Sequence, residues 1–271
     1  MPELPEVETI VRDLDRLASG SRIRAVEVLR PDLIEGEGAE PFARRLCGAR
    51  IRGVSRRAKN LVFDLGAERM VVNLGMTGRL LVVPGDAELP PHLGVRFALD
   101  DGRSLLYQDI RRFGRLEHLS REEWERRDRA LGLEPLSEEF DAEALHRLTR
   151  GSKVAIKTWL MDQRKVVGVG NIYASEALFR ARVHPRLRAG RITRPQAARI
   201  RDAVCEVLRE AIEFRGTTLL DYRDAAGEQG GFAPRLRVYD RAGEPCTVCG
   251  NPIRRIVQGG RSTFFCAVCQ G

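Results

Sequence analysis

The chain has 271 residues, enough for one large domain or two medium domains with cores of their own. Its 46 lysines and arginines against 38 aspartates and glutamates give a net charge of +8 and a pI near 9.6, a balance that favours a polyanionic partner such as nucleic acid. No apolar run approaches the length of a membrane span and no signal pattern opens the chain, so we expect a soluble cytoplasmic protein rather than a membrane or secreted one.

The first stretch of the chain, residues 1–9 (MPELPEVET), combines an unusual nucleophile with a helix start. Once the initiating methionine is trimmed, Pro2 carries a free secondary amine, and α-amino groups titrate at about pH 7.7–8.0. Attack of such an amine on a sugar carbon gives an iminium, which is an electron sink for elimination, and Glu3 is the neighbouring candidate for general acid or base. Pro5 begins a predicted helix over 5–18. The alternative is that these residues only cap a surface helix.

Short apolar segments punctuated by glycine, proline or aspartate follow, and this pattern is typical of strands. The predicted strands cover 22–30, 49–57, 60–65, 70–74, 79–83, 93–99, 103–109 and 113–119. Residues 100–102 (Asp-Asp-Gly) are a hairpin-turn signal between two of them. Many short strands at this spacing predict a sandwich or barrel, with the first helix packed on or beside it.

From about residue 121 the pattern becomes helical, so the fold class is α+β. The predicted helices cover 121–129, 138–149, 152–163, 171–182 and 193–214. Residues 216–236 are rich in glycine and turn-forming residues, which predicts a mobile loop of the kind that gates substrate. A disordered connector is the alternative for this segment.

Four of the six cysteines lie at the C-terminus with metal-binding spacing: Cys246-x2-Cys249, then sixteen residues, then Cys266-x2-Cys269. Two such knuckles predict one Zn²⁺ held tetrahedrally by four thiolates, which is a closed, structural site. Disulfides or chance spacing are the alternatives. The other two cysteines, Cys47 and Cys205, are predicted to be buried thiols.

Between the two knuckles, alternation over 253–257 and 263–265 predicts a hairpin with residues 258–261 at its tip. Six arginines against two acids over 231–271 make this module basic. A basic hairpin suits insertion into DNA, although some of these arginines serve only to solvate the module.

Three further patterns carry weaker signals. Residues 168–171 (Gly-Val-Gly-Asn) let backbone N–H groups approach a phosphate at a helix start, with Asn171 as cap and donor and Lys153 as a nearby phosphate contact. Lys59 closes a run of positive charge that starts at Arg56, which is surface decoration in most proteins. Residues 73–78 and 109–114 lie at strand ends beside glycines, where loops reach outward; a core position is the alternative for their apolar side chains.

These motifs, in this order over the whole chain, closely resemble those of the bacterial formamidopyrimidine-DNA glycosylase (Fpg/MutM) family. The match is sharpest at residues 1–9, at 165–174 and at the two cysteine knuckles. The resemblance implies that Pro2 is the nucleophile and Glu3 the acid/base. It also implies that Lys59 contacts a phosphate beside the lesion and aids elimination, and that Arg261 contacts the phosphates around the lesion.

The resemblance further identifies a helix–two-turn–helix element and a set of DNA contacts: Met76, His92, Arg111, Phe113, Lys153, Lys157 and Asn171. Among these, Met76, Arg111 and Phe113 match the residues that fill the gap left by an extruded base. The chain departs from the family pattern at Asn60, Arg215 and Gly231. The last two fall in the segment associated with the flipped base.

The fold implied is an N-terminal β-sandwich catalytic domain (1–130), a helical DNA-binding domain with the lesion loop (131–236) and a zinc finger (237–271). The implied function is removal of 8-oxoguanine and formamidopyrimidines from duplex DNA through a Pro2 Schiff base, followed by β,δ-elimination. We expect a monomer that binds damaged DNA in a basic cleft, with one structural Zn²⁺ and no membrane partner.

Two alternatives remain. One is an endonuclease VIII-like glycosylase for oxidised pyrimidines, which is disfavoured by a short set of residues: Leu4, Met76, Arg111 and Phe113. The other is a zinc-finger DNA-binding protein without activity, which is disfavoured by the joint presence of Pro2, Glu3 and Lys59.

Overall fold

The computed structural model describes residues 2–218 and 228–271 of the chain. The chain divides into two compact units, Met1–Arg129 with Phe214–Gly231 and Ala130–Glu213 with Phe232–Gly271. A stretch late in the sequence therefore belongs with the N-terminal unit. The division into three domains remains a prediction, and part of the predicted mobile loop, residues 219–227, lies outside the described residues.

The first unit opens with a helix, Leu4–Ala18 (α1), close to the predicted 5–18. Its apolar face is buried at helical spacing by Leu4, Val7, Ile10, Val11 and Leu14. Pro5 stands in the first turn, where a missing N–H costs nothing, and the charge of Glu6 favours the positive end of the helix dipole. The start of the chain is thus anchored by a packed helix rather than frayed.

Two four-stranded antiparallel sheets follow α1. Their strands are Ile23–Val28 (β1), Gly53–Arg57 (β2), Asn60–Asp64 (β3), Glu68–Asn73 (β4), Gly78–Pro84 (β5), Leu93–Leu99 (β6), Arg103–Asp109 (β7) and Arg115–Ser120 (β8). One sheet has the order β1-β6-β7-β5 and the other β2-β3-β4-β8. Side chains of both sheets and of α1 form one core around Phe63, Phe97 and Tyr107. The predicted sandwich with a helix beside it is confirmed.

A short helix that the sequence analysis missed, Ala39–Leu46 (α2), lies between β1 and β2. Only Phe42 and Leu46 of this helix are buried, too few apolar positions to reveal a helical period. Cys47 follows the last helical residue and is exposed, so the prediction of a buried thiol is wrong at this position because the residue lies just beyond the buried face of α2. Cys205 is buried, as predicted.

The remaining helices are Arg121–Asp128 (α3) in the first unit, then Ala142–Thr149 (α4), Ile156–Leu160 (α5), Asn171–Arg180 (α6) and Arg194–Glu213 (α7) in the second. The helix predicted at 138–149 begins later because Asp141 caps it, accepting a first-turn backbone N–H at 2.6 Å. The helix predicted at 152–163 is shorter because Asp162 accepts a backbone N–H two residues on and turns the chain. No helix within the described ranges is both long and apolar enough to cross a membrane.

The C-terminal module is a hairpin of Arg254–Gln258 (β9) and Arg261–Phe265 (β10). Gln258 pairs with Arg261, so the turn consists only of Gly259 and Gly260, whose φ angles are +54° and +73°. Two consecutive positive φ values suit the right-handed twist of a tight hairpin, and glycine adopts them without strain. The predicted hairpin is confirmed, with a narrower tip than expected.

Candidate active site and nucleic-acid interface

The two residues at the start of the chain are held in place before α1 begins. Pro2 is buried, and Glu3 is 3% exposed. The backbone N–H of Glu3 donates to Glu6 Oε2 at 2.8 Å, and the Glu3 carbonyl accepts the Val7 N–H at 3.1 Å. These bonds fix the backbone of Glu3 next to Pro2, and covalent catalysis benefits when the reacting groups are held in place. The catalytic roles of Pro2 and Glu3 stay predictions.

Glu6 also connects the N-terminus to residues far along the chain, a role that the sequence analysis did not assign. Its Oε1 accepts the backbone N–H of Thr217 at 2.7 Å. Gly216 has φ +84°, and a Cβ built on it would lie 2.9 Å from Glu6 Oε1. The glycine therefore allows the backbone at 216–217 to approach this buried carboxylate closely.

Lys59 lies in the two-residue turn between β2 and β3 and is half-buried. The two arginines of this run form ion pairs within the first unit: Arg56 pairs with Glu8 at 3.0 Å, and Arg57 pairs with Asp128. The positive run is therefore not uniform surface decoration. The phosphate contact assigned to Lys59 stays a prediction.

Next to Lys59, the buried Asn60 occupies one of the positions where the chain departs from the family pattern. Its Oδ1 accepts a hydrogen bond from Asn73 Nδ2 at 2.9 Å. The amide thus fills this place between β3 and β4 with a paired polar group.

One buried carboxylate, Asp109, holds together the loops 74–78 and 109–114. Asp109 is 1% exposed. It accepts the Thr77 hydroxyl at 2.6 Å through Oδ1 and the Gly114 N–H at 2.8 Å through Oδ2. The sequence analysis singled out the loops but missed the residue that joins them.

These loops present large apolar side chains to solvent. Met76 is 38% exposed in the first loop, and Ile110 and Phe113 are 47% and 52% exposed in the second. The Arg111 guanidinium lies 4.8 Å from the centroid of the Phe113 ring, a cation–π contact. Exposure agrees with side chains that insert into DNA and disagrees with the alternative of a core position, although the insertion itself stays a prediction.

His92 and Lys153, two further predicted DNA contacts, are exposed. His92 has φ +61°, and its carbonyl accepts the backbone N–H of Asp109 at 3.2 Å. Lys153 lies in the turn before α5. Both side chains have the access that a phosphate contact needs.

Lys157 lies in the interior of the second unit, at 1% exposure. Its Nζ donates to Asn171 Oδ1 at 2.5 Å, to Thr263 Oγ1 at 2.7 Å and to the Ser262 carbonyl at 3.0 Å. The predicted contact of Lys157 with DNA stays a prediction. These three hydrogen bonds orient the Asn171 amide and connect α5 to β10.

Asn171 is the first residue of α6, and Gly170 occupies the N-cap position. The cap role expected for Asn171 is therefore wrong, because its side chain is engaged elsewhere. Its Oδ1 accepts from Lys157, and its Nδ2 donates to the Tyr239 hydroxyl at 3.4 Å.

A cavity of about 660 Å³ lies between the start of α5 and the zinc hairpin. Lys157, Arg164 and Arg261 line it together with the turn residue Gly259. Arg261 is exposed at the first position of β10. The concave, basic lining suits a phosphate group.

The four C-terminal cysteines come together as the spacing predicts. Their Sγ atoms all lie within 4.8 Å of one another, with Cys246 and Cys269 3.9 Å apart and Cys249 and Cys266 3.4 Å apart. Thiolates around a tetrahedral zinc with bonds of about 2.3 Å are about 3.8 Å apart, so the donors fit this metal. A hydrogen bond from the Asn251 backbone lowers the pKa of Cys249 to about 6, whereas burial raises the pKa of Cys266 and that of Cys269, so zinc binding must displace protons from the cluster.

Glu176, on α6, fixes the chain that leads into the zinc module. Its side chain is fully buried, at 0% exposure. It accepts consecutive backbone N–H groups from Arg237 at 3.0 Å, Val238 at 2.9 Å and Tyr239 at 2.8 Å. No local sequence signal points to this clamp, since the partners are about sixty residues apart.

Three comparisons with known proteins bear on this site. The model of the formamidopyrimidine-DNA glycosylase N-terminal domain matches residues 1–116, the H2TH domain of the same glycosylases matches 131–222, and a zinc finger found in FPG and IleRS matches 243–271. The formamidopyrimidine-DNA glycosylase of Syntrophotalea carbinolica is 45% identical over 274 residues and covers all of both chains. The chain belongs to the formamidopyrimidine-DNA glycosylase family.

Solved structures of this glycosylase family have the same fold. Lactococcus lactis Fpg bound to DNA containing Fapy-dG matches with a TM-score of 0.91 and 34% identity, covering 99% of each chain. The same protein bound to DNA with an abasic site matches with a TM-score of 0.92 and 33% identity, again over 99% of each chain. The predicted family, the helix–two-turn–helix domain and the structural zinc are confirmed.

Proposed function

We propose that this glycosylase-family chain excises oxidised purines, 8-oxoguanine and formamidopyrimidines, from duplex DNA and then cleaves the abasic strand. The observation that carries the proposal is the buried N-terminal pair, Pro2 and Glu3, fixed at the start of α1. A relative that matches over the whole length of both chains carries the glycosylase name, and a relative is known in complex with Fapy-dG DNA.

The mechanism starts after removal of the initiating methionine, which leaves the Pro2 nitrogen as a secondary amine. The amine attacks C1′ of the damaged nucleotide, the bond from C1′ to the base breaks, and the ring opens to an iminium. Glu3 holds or moves the protons that ring opening and base departure require. Electron withdrawal by the iminium then permits β-elimination of the 3′ phosphate and δ-elimination of the 5′ phosphate. Water then hydrolyses the remaining iminium, which releases the sugar fragment as an aldehyde and frees the Pro2 amine.

We assign the phosphate contacts to exposed or half-buried side chains in both units. In the first unit we assign Lys59 and His92, and in the second Lys153, Asn171 and Arg261. We assign Lys157 to orient Asn171, because its ammonium is buried against that amide. The four cysteines would hold the zinc as thiolates, a donor set typical of structural sites, and the metal would serve folding.

The gap left by an extruded base is assigned to Met76, Phe113 and Arg111. Apolar wedges stabilise the unstacked duplex, and a guanidinium replaces the lost hydrogen bonds of the orphaned partner base. We also propose that the chain acts as a monomer in the cytoplasm, because one chain contributes every residue in this assignment. Light scattering of the protein with and without duplex DNA tests the stoichiometry.

Borohydride trapping tests the function directly. Duplex DNA with 8-oxoguanine opposite cytosine is incubated with protein and borohydride, which reduces the iminium to a stable amine. We expect an adduct that survives denaturation, with mass spectrometry placing the added mass on the mature N-terminal Pro2. Intact mass of the protein confirms that Met1 is removed. An adduct on Lys59 instead would contradict the assignment of the nucleophile.

Variants separate the chemical steps. Glu3→Gln should impair base excision while trapping on a pre-formed abasic site persists, because that substrate has no base to expel. An uncleavable N-terminal extension turns the Pro2 nitrogen into an amide and should abolish both activities with little effect on zinc content. A duplex with an oxidised pyrimidine, run in parallel, distinguishes the endonuclease VIII-like alternative. A protein that binds DNA but never traps would be the non-catalytic alternative.

A further inference from the structure

Asp13, on α1, is a buried carboxylate with a partner late in the chain. It is 4% exposed, and its Oδ2 accepts Arg215 Nη2 at 2.5 Å. Its Oδ1 faces Arg16 at 3.4 Å, but the side chain of Arg16 is 75% exposed. Asp13 follows Glu6 by seven residues, so both carboxylates lie on the same face of α1. Each of them holds the stretch that contains Arg215.

Arg215 adopts a backbone conformation that arginine rarely takes. Its φ is +59°, in the left-handed region where glycine is unstrained. Arg215 is also one of the positions at which the chain departs from the family pattern. At this strained position its side chain reaches the buried Asp13.

The stretch that contacts α1 is paired with a second stretch of the chain. Thr217 forms an antiparallel bridge with Gly231, whose N–H donates to the Phe214 carbonyl at 2.8 Å. The N–H of Gly230 donates to Thr218 Oγ1 at 2.8 Å. Residues 214–218 and 228–231 are therefore joined by hydrogen bonds, and we call them the paired segments. They contact α1 at Glu6 and again at Asp13.

The Glu6 carboxylate binds both the paired segments and the N-terminal residues. Its Oε1 accepts the Thr217 N–H and its Oε2 accepts the Glu3 N–H, so a displacement of the paired segments would also move Glu3, the residue next to Pro2. A displacement of about 1 Å of groups that orient a substrate can cost about a hundredfold in rate. The ion pair of Arg215 with Asp13 is a second contact with α1, and it limits rotation of the paired segments about the hydrogen bond to Glu6.

We propose that Asp13 and Arg215 are positioning residues for the excision step, and that their ion pair holds the paired segments in place relative to Pro2, the N-terminal nucleophile. The proposal rests on the proposed function. Seating of a damaged base needs the correct placement of the chain beside Pro2 and Glu3, whereas an abasic sugar has no base to be seated. The ion pair should therefore influence excision far more than strand cleavage at an abasic site.

Arg215→Gly is the decisive variant, because it removes the guanidinium and also relieves the backbone strain, so that folding is retained. Single-turnover excision of 8-oxoguanine should fall about tenfold, within the range expected for contacting residues. Cleavage and borohydride trapping of a pre-formed abasic duplex should stay within about twofold of wild type. Asp13→Asn should reproduce this split, and the double variant should lose little more than either single one.

Arg16→Ala is the matched control, since Arg16 faces the same carboxylate from the solvent side and should leave both rates unchanged. Wild-type excision by Arg215→Gly would overturn the proposal, as would an equal loss of excision and abasic cleavage. Fully additive losses in the double variant would show that the two residues act separately and would also overturn it. Wild-type protein that neither excises nor traps would instead overturn the proposed function, and this inference with it.

Discussion

The loops 74–78 and 109–114 of the sandwich and the hairpin of the C-terminal module all carry side chains for which we propose DNA contacts, but they are stabilised in different ways. A single buried carboxylate, Asp109, joins the two loops through hydrogen bonds at the border of a large apolar core. The C-terminal module that contains the hairpin has a small core, in which Val238, Ile253 and Phe264 pack next to the four cysteines.

The difference follows from the surface that each region can bury. A two-sheet core supplies enough apolar burial for loops to be shaped by hydrogen bonds alone. A module of this size lacks such a core and relies on a metal for its folding free energy. Perturbations should therefore act globally on the hairpin and locally on the loops.

The largest effect is expected from loss of the metal. Cys249→Ser should lose zinc and unfold the hairpin, because structural zinc contributes about 10–16 kcal/mol in zinc-finger peptides. DNA affinity should fall, while the sandwich keeps its circular dichroism and melting transition. Zinc content per chain is the measurement, and Cys47→Ser, an exposed cysteine outside the cluster, is the control. One zinc per chain in the first variant would contradict the assignment.

The next effect concerns the carboxylate between the loops. Asp109→Ala leaves the Thr77 hydroxyl and the Gly114 N–H without their acceptor, and each unpaired buried donor costs about 1–3 kcal/mol. Urea unfolding should show this loss while the zinc content stays at one per chain. Asp109→Asn keeps one acceptor oxygen and should lose less. Equal stability of the alanine variant and wild type would mean that the loops are held by other contacts.

A smaller effect on stability is expected at the exposed side chains that these loops present. Met76→Ala and Phe113→Ala should change the free energy of unfolding by less than about 0.5 kcal/mol, as exposed positions do. Excision from duplex DNA should nevertheless drop. Phe63→Ala, a buried aromatic of the same sandwich, should cost about 3–5 kcal/mol and is the matched control. A large fall in melting temperature for Phe113→Ala would mean that Phe113 supports the fold.

The smallest expected effect is a change in the slope of DNA affinity against salt concentration, both on logarithmic scales. Lys59→Ala should flatten the dependence of DNA affinity on salt by about one power of concentration, because one phosphate contact is lost. Asn171→Ala should weaken binding with little change of slope, since its amide is neutral. Binding titrations at several salt concentrations separate the two, and equal slopes for wild type and Lys59→Ala would refute the phosphate contact.

Local patterns in the sequence were enough to locate most of the secondary structure. Short apolar segments punctuated by glycine, proline or aspartate predicted the sandwich strands, and helical spacing after Pro5 predicted α1. Cysteine spacing alone led to the four-thiolate site, because a knuckle is a local structure that brings two ligands together. Where buried residues were few, as in α2, the same reasoning found no element.

The sequence by itself determined the family, the α+β class and the four-cysteine zinc site, because these depend on motifs of residues that are close together in the chain. The catalytic roles that it assigns stay predictions. Only the tertiary structure decided which polar groups are buried and what they hold. Lys157 has the pattern of a surface cation but lies inside the second unit, while Glu6, Asp109 and Glu176 organise segments far from them in sequence. A buried charge is stable only where long-range folding supplies its partners, and no local pattern records that pairing.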